Sequence, residues 1–233
     1  MKIDQNNVHV WEISLTKALG QRNRFSDILR GNEKERAARF HFQKDRDQFV
    51  IARASMRLIL ARYLKESPDQ IKFRYGPHGK PEVQNRGLEP RLHFNLSHSH
   101  EIALLAVARG RRVGVDVERV STHRMNDFGL AENLFTPFEA GLLRAASPEM
   151  RAEVFYRFWT RKEAFLKGRG DGLSASLNHF EVSLEDSGIR LVDRWEGGGG
   201  NWSVHEFRPL ADYIAAVAVE GAIPCFTFHR AEL

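Results

Sequence analysis

Cysteine is almost absent from the chain, and this absence limits how the fold can be stabilised. Cys225 is the only cysteine among 233 residues, so the sequence excludes an intrachain disulfide and a zinc site made of cysteines. This cysteine usage is typical of a reducing compartment and predicts a cytoplasmic location. The sequence also lacks an apolar run of about 18 residues, which predicts that no helix crosses a membrane. The first residues lack the apolar core of a secretory signal.

Positive charge is in excess over negative charge. The chain carries 35 lysine and arginine residues and 30 aspartate and glutamate residues, which gives a formal net charge of +5. This excess favours an anionic partner, which is a nucleic acid, a phosphorylated small molecule or an acidic protein. The hydrophobic content of 42% is that of a folded globular protein, and the length allows one large domain or two small ones.

Residues 112–118 carry two carboxylates within a run of valines. Asp116 and Glu118 are two positions apart, so a strand places both side chains on one face. Like charges on one face repel unless a cation lies between them, and Mg²⁺ prefers such oxygen ligands. The alternative is an edge strand with two solvated surface acids. Residues 102–108 are also apolar, and the turn signal at 109–112 predicts that the two strands form a hairpin.

Two upstream segments carry arginines on helical patterns. Arg36 and Arg39 are three residues apart and share a helical face, which either clamps a phosphate or is merely solvated. Residues 45–64 repeat apolar side chains at intervals of three and four, which predicts a long helix. Arg53 lies beside that apolar stripe and is either a ligand-binding residue or a surface arginine with a packed stem.

Two polar segments follow this helix. Glycine and proline predict a loop at residues 75–81, in which Lys80 is either presented to an anion or simply exposed. Residues 93–100 are rich in small hydrogen-bonding groups. His98 and His100 have no matching third ligand for zinc, and Ser97 lacks the elbow motif of a serine nucleophile. Ser97 and His98 are therefore predicted to bind an anion as a pair.

The second half of the chain repeats features of the first. Residues 153–167 predict another long helix, on which Glu163 and Lys167 are one turn apart and are either part of a site or an ordinary surface ion pair. Residues 214–219 are similar to residues 102–107, and each of these apolar strands follows a long helix with aromatic and basic residues. The repeat predicts an α+β fold of two similar halves with a cleft between them.

Four of these segments, in this order, resemble the motifs of the 4′-phosphopantetheinyl transferases. They are Gly-Lys-Pro at 79–81, Phe-Asn-Leu-Ser-His at 94–98, Gly-Val-Asp-Val-Glu at 114–118, and Trp-Thr-Arg-Lys-Glu-Ala-Phe-Leu-Lys at 159–167. The similarity spans residues 36–172. The length of the chain resembles the Sfp-type branch of the family, in which one monomeric chain contains both halves.

The resemblance implies transfer of phosphopantetheine from coenzyme A to a serine of an acidic apo carrier protein, with release of 3′,5′-ADP. It implies two halves related by pseudo-twofold symmetry, residues 1–118 and 119–233, with the active site between them. It also implies Mg²⁺, with Mn²⁺ as a substitute, and no nucleic-acid or membrane partner. The implied metal ligands are Asp116, Glu118 and Glu163, the implied catalytic residues are Glu163 and Lys167, and the implied coenzyme A-binding residues are Arg36, Arg39, Arg53, Lys80, Pro81, Asn95, Ser97, His98 and Lys167.

Several alternatives stay open at this stage. Some Sfp-type members bind the 3′-phosphate through lysines early in the basic helix, and here Arg36, Arg39 or Arg53 would replace them. Glu163 is a candidate general base, acting directly or through water. Another Mg²⁺-dependent phosphoesterase or nucleotide-processing enzyme would explain the carboxylates but not the order of the motifs. A non-enzymatic nucleic-acid-binding protein would explain the positive charge, but the sequence contains no signature of that class.

Overall fold

The computed structural model describes residues 1–84, 89–121, 134–170, 177–185, 189–191 and 201–232. The α-helices described in these ranges are α1 (Arg22–Ile28), α2 (Gly31–Ala38), α3 (Gln43–Leu64), α4 (Pro137–Ala145) and α5 (Pro148–Arg169). The strands are β1 (Asn7–Ser14), β2 (Phe73–Tyr75), β3 (Pro81–Val83), β4 (Leu92–Ser99), β5 (Ile102–Arg109), β6 (Val113–Arg119), β7 (Phe180–Val182), β8 (Ile189–Leu191), β9 (Trp202–Phe207), β10 (Tyr213–Glu220) and β11 (Cys225–Arg230).

The predicted α+β fold with two similar halves is confirmed by the pairing of the strands. One sheet has the order β11-β1-β5-β4, and the other has the order β6-β10-β9. In each sheet the central strand, β5 or β10, pairs antiparallel with the strand before it and with the first strand of its half. Each half therefore consists of a strand, a 22-residue helix and an antiparallel hairpin. The two central strands contain the repeated apolar segments that the sequence indicated.

The hairpin predicted for residues 102–118 is wrong. β5 and β6 belong to different sheets, and β6 pairs antiparallel with β10, from Val113 opposite Val219 to Arg119 opposite Tyr213. Both strands are apolar on the face that they share, so they pack against each other across the space between the sheets instead of side by side. This stacking buries apolar area on β5, β6 and β10 that a two-stranded hairpin would leave exposed.

Each long helix covers the outer face of one sheet. α3 packs on the first sheet through a core that includes Ile51, Met56 and Leu60, and α5 packs on the second sheet through Phe158 and Phe165. The two sheets are joined again at the end of the chain, because β11 pairs in parallel with β1. The strand pattern restarts at β6, and the division at residue 118 stays a prediction.

α5 lies unusually close to β6, because both elements carry a glycine at the crossing. A Cβ atom on Gly114 would lie 2.0 Å from the carbonyl oxygen of Ala164 and 2.2 Å from the backbone nitrogen of Gly168. No larger residue fits there without movement of the backbone. This close approach brings the side chains of α5 within reach of those of β6. In the described ranges, no helix combines the length and the apolar character that spanning a membrane needs.

Candidate active site

Three polar side chains join β4 to β6 where the two sheets meet. The side chains of Asn95, Ser97 and Ser99 alternate along β4 and all point at β6. Asn95 Oδ1 accepts a hydrogen bond of 2.9 Å from the backbone nitrogen of Val115. The hydroxyls of Ser97 and Ser99 donate to the carboxylates of Asp116 and Glu118, each at 2.9 Å. We call these three residues the polar seam, because their side chains join edges that belong to separate sheets.

Asp116 is buried, which contradicts the alternative of a solvated surface acid. Its side chain is 3% exposed, and its Oδ1 accepts hydrogen bonds from Ser97 and, at 2.5 Å, from the ammonium group of Lys167 on α5. Burial alone would lower the pKa of Lys167, but the charge and hydrogen bond of Asp116, together with the charges of Glu163 and Glu118, outweigh it, and the net shift of that pKa is upward. The contact between β6 and α5 is thus a charged one inside the fold, where screening by water is weak.

Glu163, one turn before Lys167, is the most perturbed acid of this cluster. Burial raises the pKa of its carboxyl to about 7, the positive charge of Lys167 opposes the rise, and the charges of Asp116 and Glu118 add to it. Its Oε1 is buried and has no hydrogen-bond partner among the described residues. A carboxyl that titrates near neutral pH is suited to accept a proton in a reaction.

The three carboxylates line one cavity of about 360 Å³. Lys80, Asn95, Lys167 and Trp159 also line it, so residues from all four sequence motifs meet there. A larger cavity of about 510 Å³ lies between β1, β5 and the ends of β9 and β11, and none of the predicted site residues is among those that line it. The smaller cavity is the candidate active site, because size alone does not supply chemistry.

The oxygen donors of the cavity fit a hard divalent cation whose remaining ligands come from a substrate. In the described part of the chain, no three His, Cys, Asp or Glu side chains are grouped closely enough to hold a metal by themselves. Two buried carboxylate oxygens, Asp116 Oδ2 and Glu163 Oε1, nevertheless have no described hydrogen-bond partner. Mg²⁺ usually takes one or two carboxylates together with phosphate oxygens and water, so such a half-formed site suits it.

Lys80 lines the cavity, but its ammonium group also contacts the backbone. Its Nζ donates to the carbonyl oxygens of Val113, at 3.2 Å, and Gly168, at 2.6 Å. It thereby connects the loop to the start of β6 and to the last turn of α5. Pro81, the next residue, begins β3 and lines a neighbouring pocket that also includes Lys80.

Ser97 and His98 do not form the predicted pair. Neighbouring residues on a strand face opposite ways, so Ser97 points at β6 while His98 lies on the α3 side of β4 and is exposed. Partial desolvation lowers the pKa of His98, and the positive charges of Lys167 and Arg36 lower it further. His98 therefore stands in a positive field beside the cavity, separately from Ser97.

The three candidate arginines are in different surroundings. Arg53 is buried, and it donates to Glu33 at 2.7 Å and to the hydroxyl of Tyr75 at 2.9 Å, so it holds α2 against α3 and does not line the cavity. Arg36 is exposed, and its guanidinium lies over the ring of Phe49, 5.4 Å from the ring centre. Arg39, just after the end of α2, is also exposed.

Sequence reasoning missed Ser99, Lys162 and Glu139, which shape the site. Ser99 contacts Glu118, and the alternation of Asn95, Ser97 and Ser99 was a signal that could have identified it. Lys162 forms an ion pair of 2.8 Å with Glu139 on α4, and both side chains are completely buried. Lys162 also donates to the carbonyl oxygen of Leu177 at 2.7 Å, so it anchors the helix that carries Glu163. No local pattern distinguishes Lys162 from a surface lysine.

Comparison with known proteins supports the resemblance along most of the chain. Residues 20–109 match the family model described as 4′-phosphopantetheinyl transferase, N-terminal, and residues 112–218 match that of the 4′-phosphopantetheinyl transferase superfamily. The chain is 38% identical to 4′-phosphopantetheinyl transferase HetI of Nostoc sp., over 93% of this chain and 89% of that protein. It is 30% identical to a 4′-phosphopantetheinyl transferase of Bacillus subtilis, over 76% of both chains. The protein Sfp of Bacillus subtilis strain 168 is 27% identical over 79% of this chain and 81% of its own length. The chain therefore belongs to the 4′-phosphopantetheinyl transferase superfamily.

Proposed function

We propose that this protein transfers 4′-phosphopantetheine from coenzyme A to a serine hydroxyl of an apo carrier protein. The observation that carries the proposal is the contact of Lys167 with Asp116 beside the protonatable Glu163, within one cavity. Phosphoryl transfer requires positioning and charge neutralisation rather than covalent help from the protein. A half-buried lysine, three carboxylates and a nearby positive field supply these requirements.

The metal would be held by Asp116, Glu118 and Glu163, with Mg²⁺ as the natural ion and Mn²⁺ as a substitute. The two unpartnered oxygens in this set support the assignment. When bound, the ion would neutralise charge on the pyrophosphate of coenzyme A. Lys167 would then exchange its contact with Asp116 for contacts with oxygens of the transferred phosphate.

Glu163 would accept the proton of the attacking serine, directly or through a water molecule. The serine oxygen forms a bond to the β-phosphorus of coenzyme A, and the bond from that phosphorus to the oxygen bridging the two phosphates breaks. The electron pair and the negative charge leave with 3′,5′-ADP. A pKa of about 7 gives Glu163 both a substantial ionised fraction and useful basicity near neutral pH.

The nucleotide portion of coenzyme A would lie along the positive side of the cavity. Lys80, Pro81, Asn95, Ser97 and His98 are its proposed contacts. For the 3′-phosphate we propose Arg36 or Arg39 in preference to Arg53, because Arg53 is already paired with Glu33 inside the fold. Arg36 contributes to the positive field at His98, which supports its proximity to the nucleotide.

The carrier protein is proposed to be acidic and the transferase to act as a cytoplasmic monomer. The net charge of +5 supports electrostatic steering of an acidic partner. The two halves in one chain already supply both sides of the cavity, which supports a monomer. Association rates should fall as salt is added, and rates that do not depend on salt would contradict the steering.

The decisive experiment combines the protein with coenzyme A, Mg²⁺ and an apo carrier protein. Transfer predicts a carrier mass gain of about 340 Da, one phosphopantetheine added by phosphoryl transfer. Asp116→Ala should reduce the rate at least about a hundredfold, the scale for losing one preorganised electrostatic group. Its circular dichroism should match that of the wild type. Release of phosphate without carrier labelling would instead indicate a phosphoesterase, and an active Asp116→Ala variant would overturn the proposed site.

A further inference from the structure

Ser99 lies at the end of the polar seam, and its hydroxyl contacts three polar groups. Its Oγ accepts a hydrogen bond of 3.2 Å from the backbone nitrogen of Arg119, and His100 Nδ1 lies 3.2 Å away. A hydroxyl has one hydrogen to donate and two lone pairs to accept with. An ionised carboxylate can only accept, so in the contact of 2.9 Å between Ser99 Oγ and Glu118 Oε2 the hydroxyl is the donor.

The packing around Glu118 restrains its side chain less than the packing around Asp116 does. Glu118 lies next to the last residue of β6, and its side chain is only partly buried. The side chain of Asp116, by contrast, is only 3% exposed. A glutamate has one more rotatable bond than an aspartate and so loses more entropy when its carboxylate is fixed.

We propose that Ser99 is a positioning residue, which aims the carboxylate of Glu118 into the cavity so that this oxygen donor is in place when a divalent cation binds. The inference rests on the proposed metal role of Glu118. One oxygen of the carboxylate bonds to Ser99, and this bond sets the direction in which the other points. Groups that orient metal ligands in this way commonly change metal affinity or activity about 10–100-fold when they are removed.

The inference explains why the seam contains hydroxyls at Ser97 and Ser99. Each of the two serines contacts one carboxylate of β6, and the spacing of two residues on β4 matches that of Asp116 and Glu118. An alanine at either position would still fit the strand, but it could not donate to a carboxylate. The arrangement therefore joins the two sheets and orients two acids with the same side chains.

The test compares Ser99→Ala with Ser99→Thr, which keeps the hydroxyl, and with Ser203→Ala as a matched control. Ser203 is a partly buried serine on β9 whose hydroxyl donates to the carbonyl oxygen of Gly221 at 2.7 Å, far along the chain from the site. Two quantities are measured: the Mg²⁺ concentration that gives half of the Mg²⁺-induced rise in melting temperature, and the Mg²⁺ concentration for half-maximal transfer. Ser99→Ala should raise both about tenfold or more, and the other two variants should resemble the wild type.

A double-mutant cycle separates positioning from a general loss of stability. In the background Glu118→Gln the substitution Ser99→Ala should change neither Mg²⁺ concentration, because the carboxylate that it positions is gone. If Ser99→Ala changed the two Mg²⁺ concentrations equally in both backgrounds, or left them unchanged in the wild-type background, the positioning role of Ser99 would be overturned. The proposed function would not be affected by either result. If neither the melting temperature nor the transfer rate of the wild type depended on Mg²⁺, the proposed metal site would be overturned, and the role of Ser99 with it. Carrier labelling would still test the transferase activity separately.

Discussion

Glu163 has an ionisation that couples the stability of the folded protein to pH. Burial raises the pKa of its carboxyl from 4.5 to about 7 in the folded protein, and the neighbouring Asp116 and Glu118 contribute to the rise. Between these values the folded state holds a proton that the unfolded state releases. The stabilising contribution of the neutral carboxyl is therefore complete below pH 4.5 and is lost as the pH rises through about 7.

We expect Glu163→Gln to be more stable than the wild type above pH 7 and equally stable below pH 4.5, because glutamine resembles the protonated acid. The shift corresponds to roughly 3 kcal/mol, or a melting temperature about 6–12 °C higher for a chain of this size. Melting curves recorded across this pH range with a chelator present measure the difference. Added Mg²⁺ should stabilise the wild type and reduce the difference in melting temperature between the two proteins above pH 7. A difference that is the same at every pH would contradict the argument.

Other features of single residues were only partly accessible to sequence reasoning. The two-residue period of a strand predicts that Asp116 and Glu118 share a face. In the structure both side chains do point to the same side of β6, towards β4. The burial of Asp116 does not follow, because Lys167 reaches it from a helix 51 residues away in sequence. Arg53 shows the same limit, since only the packing of α2 on α3 brings Glu33 to its guanidinium.

At the scale of elements, the crossing of α5 over β6 determines whether the carboxylates and Lys167 meet. Gly114 allows this approach, because a Cβ atom there would overlap backbone atoms of Ala164 and Gly168. Backbone atoms of a packed helix cannot move aside as the end of a flexible side chain can. Any side chain at position 114 therefore has to displace the whole of α5.

We expect Gly114→Ala to destabilise the protein by about 3 kcal/mol or more, the upper part of the range for overpacking. Transfer should also be lost in the fraction that stays folded, because Lys167 and Glu163 would move away from Asp116. Denaturant unfolding and a carrier-labelling assay measure the two effects.

The matched control is Gly141→Ala, in the interior of α4, where a Cβ atom would meet nothing within 4 Å. That substitution should be neutral or should stabilise the protein by up to about 1 kcal/mol, because alanine has the higher helix propensity. If Gly114→Ala behaved like this control, the close packing of α5 on β6 would not be a requirement of the site.

The elements themselves were predictable where periodicity was long and regular. The helix predicted for residues 45–64 is Gln43–Leu64 in the structure, and the strands predicted at 102–108, 112–118 and 214–219 each lie within one residue of their predicted positions. The pairing of strands was not predictable in the same way. Residues 102–108 and 113–118 have the turn signal of a hairpin, but the greater burial available between two sheets separates them.

At the scale of the whole molecule, the internal repeat predicted two halves but not how the halves are joined. The apolar repeat at 102–107 and 214–219 is local in sequence and therefore visible. The joining contacts are not local: β11 pairs with β1 across more than 200 residues, and the polar seam connects β4 to a strand of the other sheet. Such pairings depend on the packed molecule, and no spacing in the sequence encodes them.

The two halves should consequently unfold as one unit, and β11 should stabilise both. Its His229 stacks on Trp11 of β1 at 4.4 Å between ring centres, and its Phe226 and Phe228 contact His205 and Phe207 of β9 at 4.5 and 4.9 Å. Such aromatic pairs contribute about 0.5–1.5 kcal/mol each beyond their buried area. β11 therefore connects the edge of one sheet to the edge of the other.

A chain that ends at residue 223 should lose these contacts and melt about 10 °C lower, if three aromatic pairs and one row of strand pairing contribute about 3–5 kcal/mol. A chain that ends at residue 231 keeps all of β11 and the backbone bond from Ala231 to Glu12, so it serves as the control and should melt like the full chain. Tryptophan fluorescence and far-ultraviolet circular dichroism should give the same single transition in each case, because Trp11 and Trp202 belong to different sheets. Two separate transitions in the full chain, or an unchanged melting temperature for the shorter one, would show that the halves are stable independently and that β11 only covers an edge.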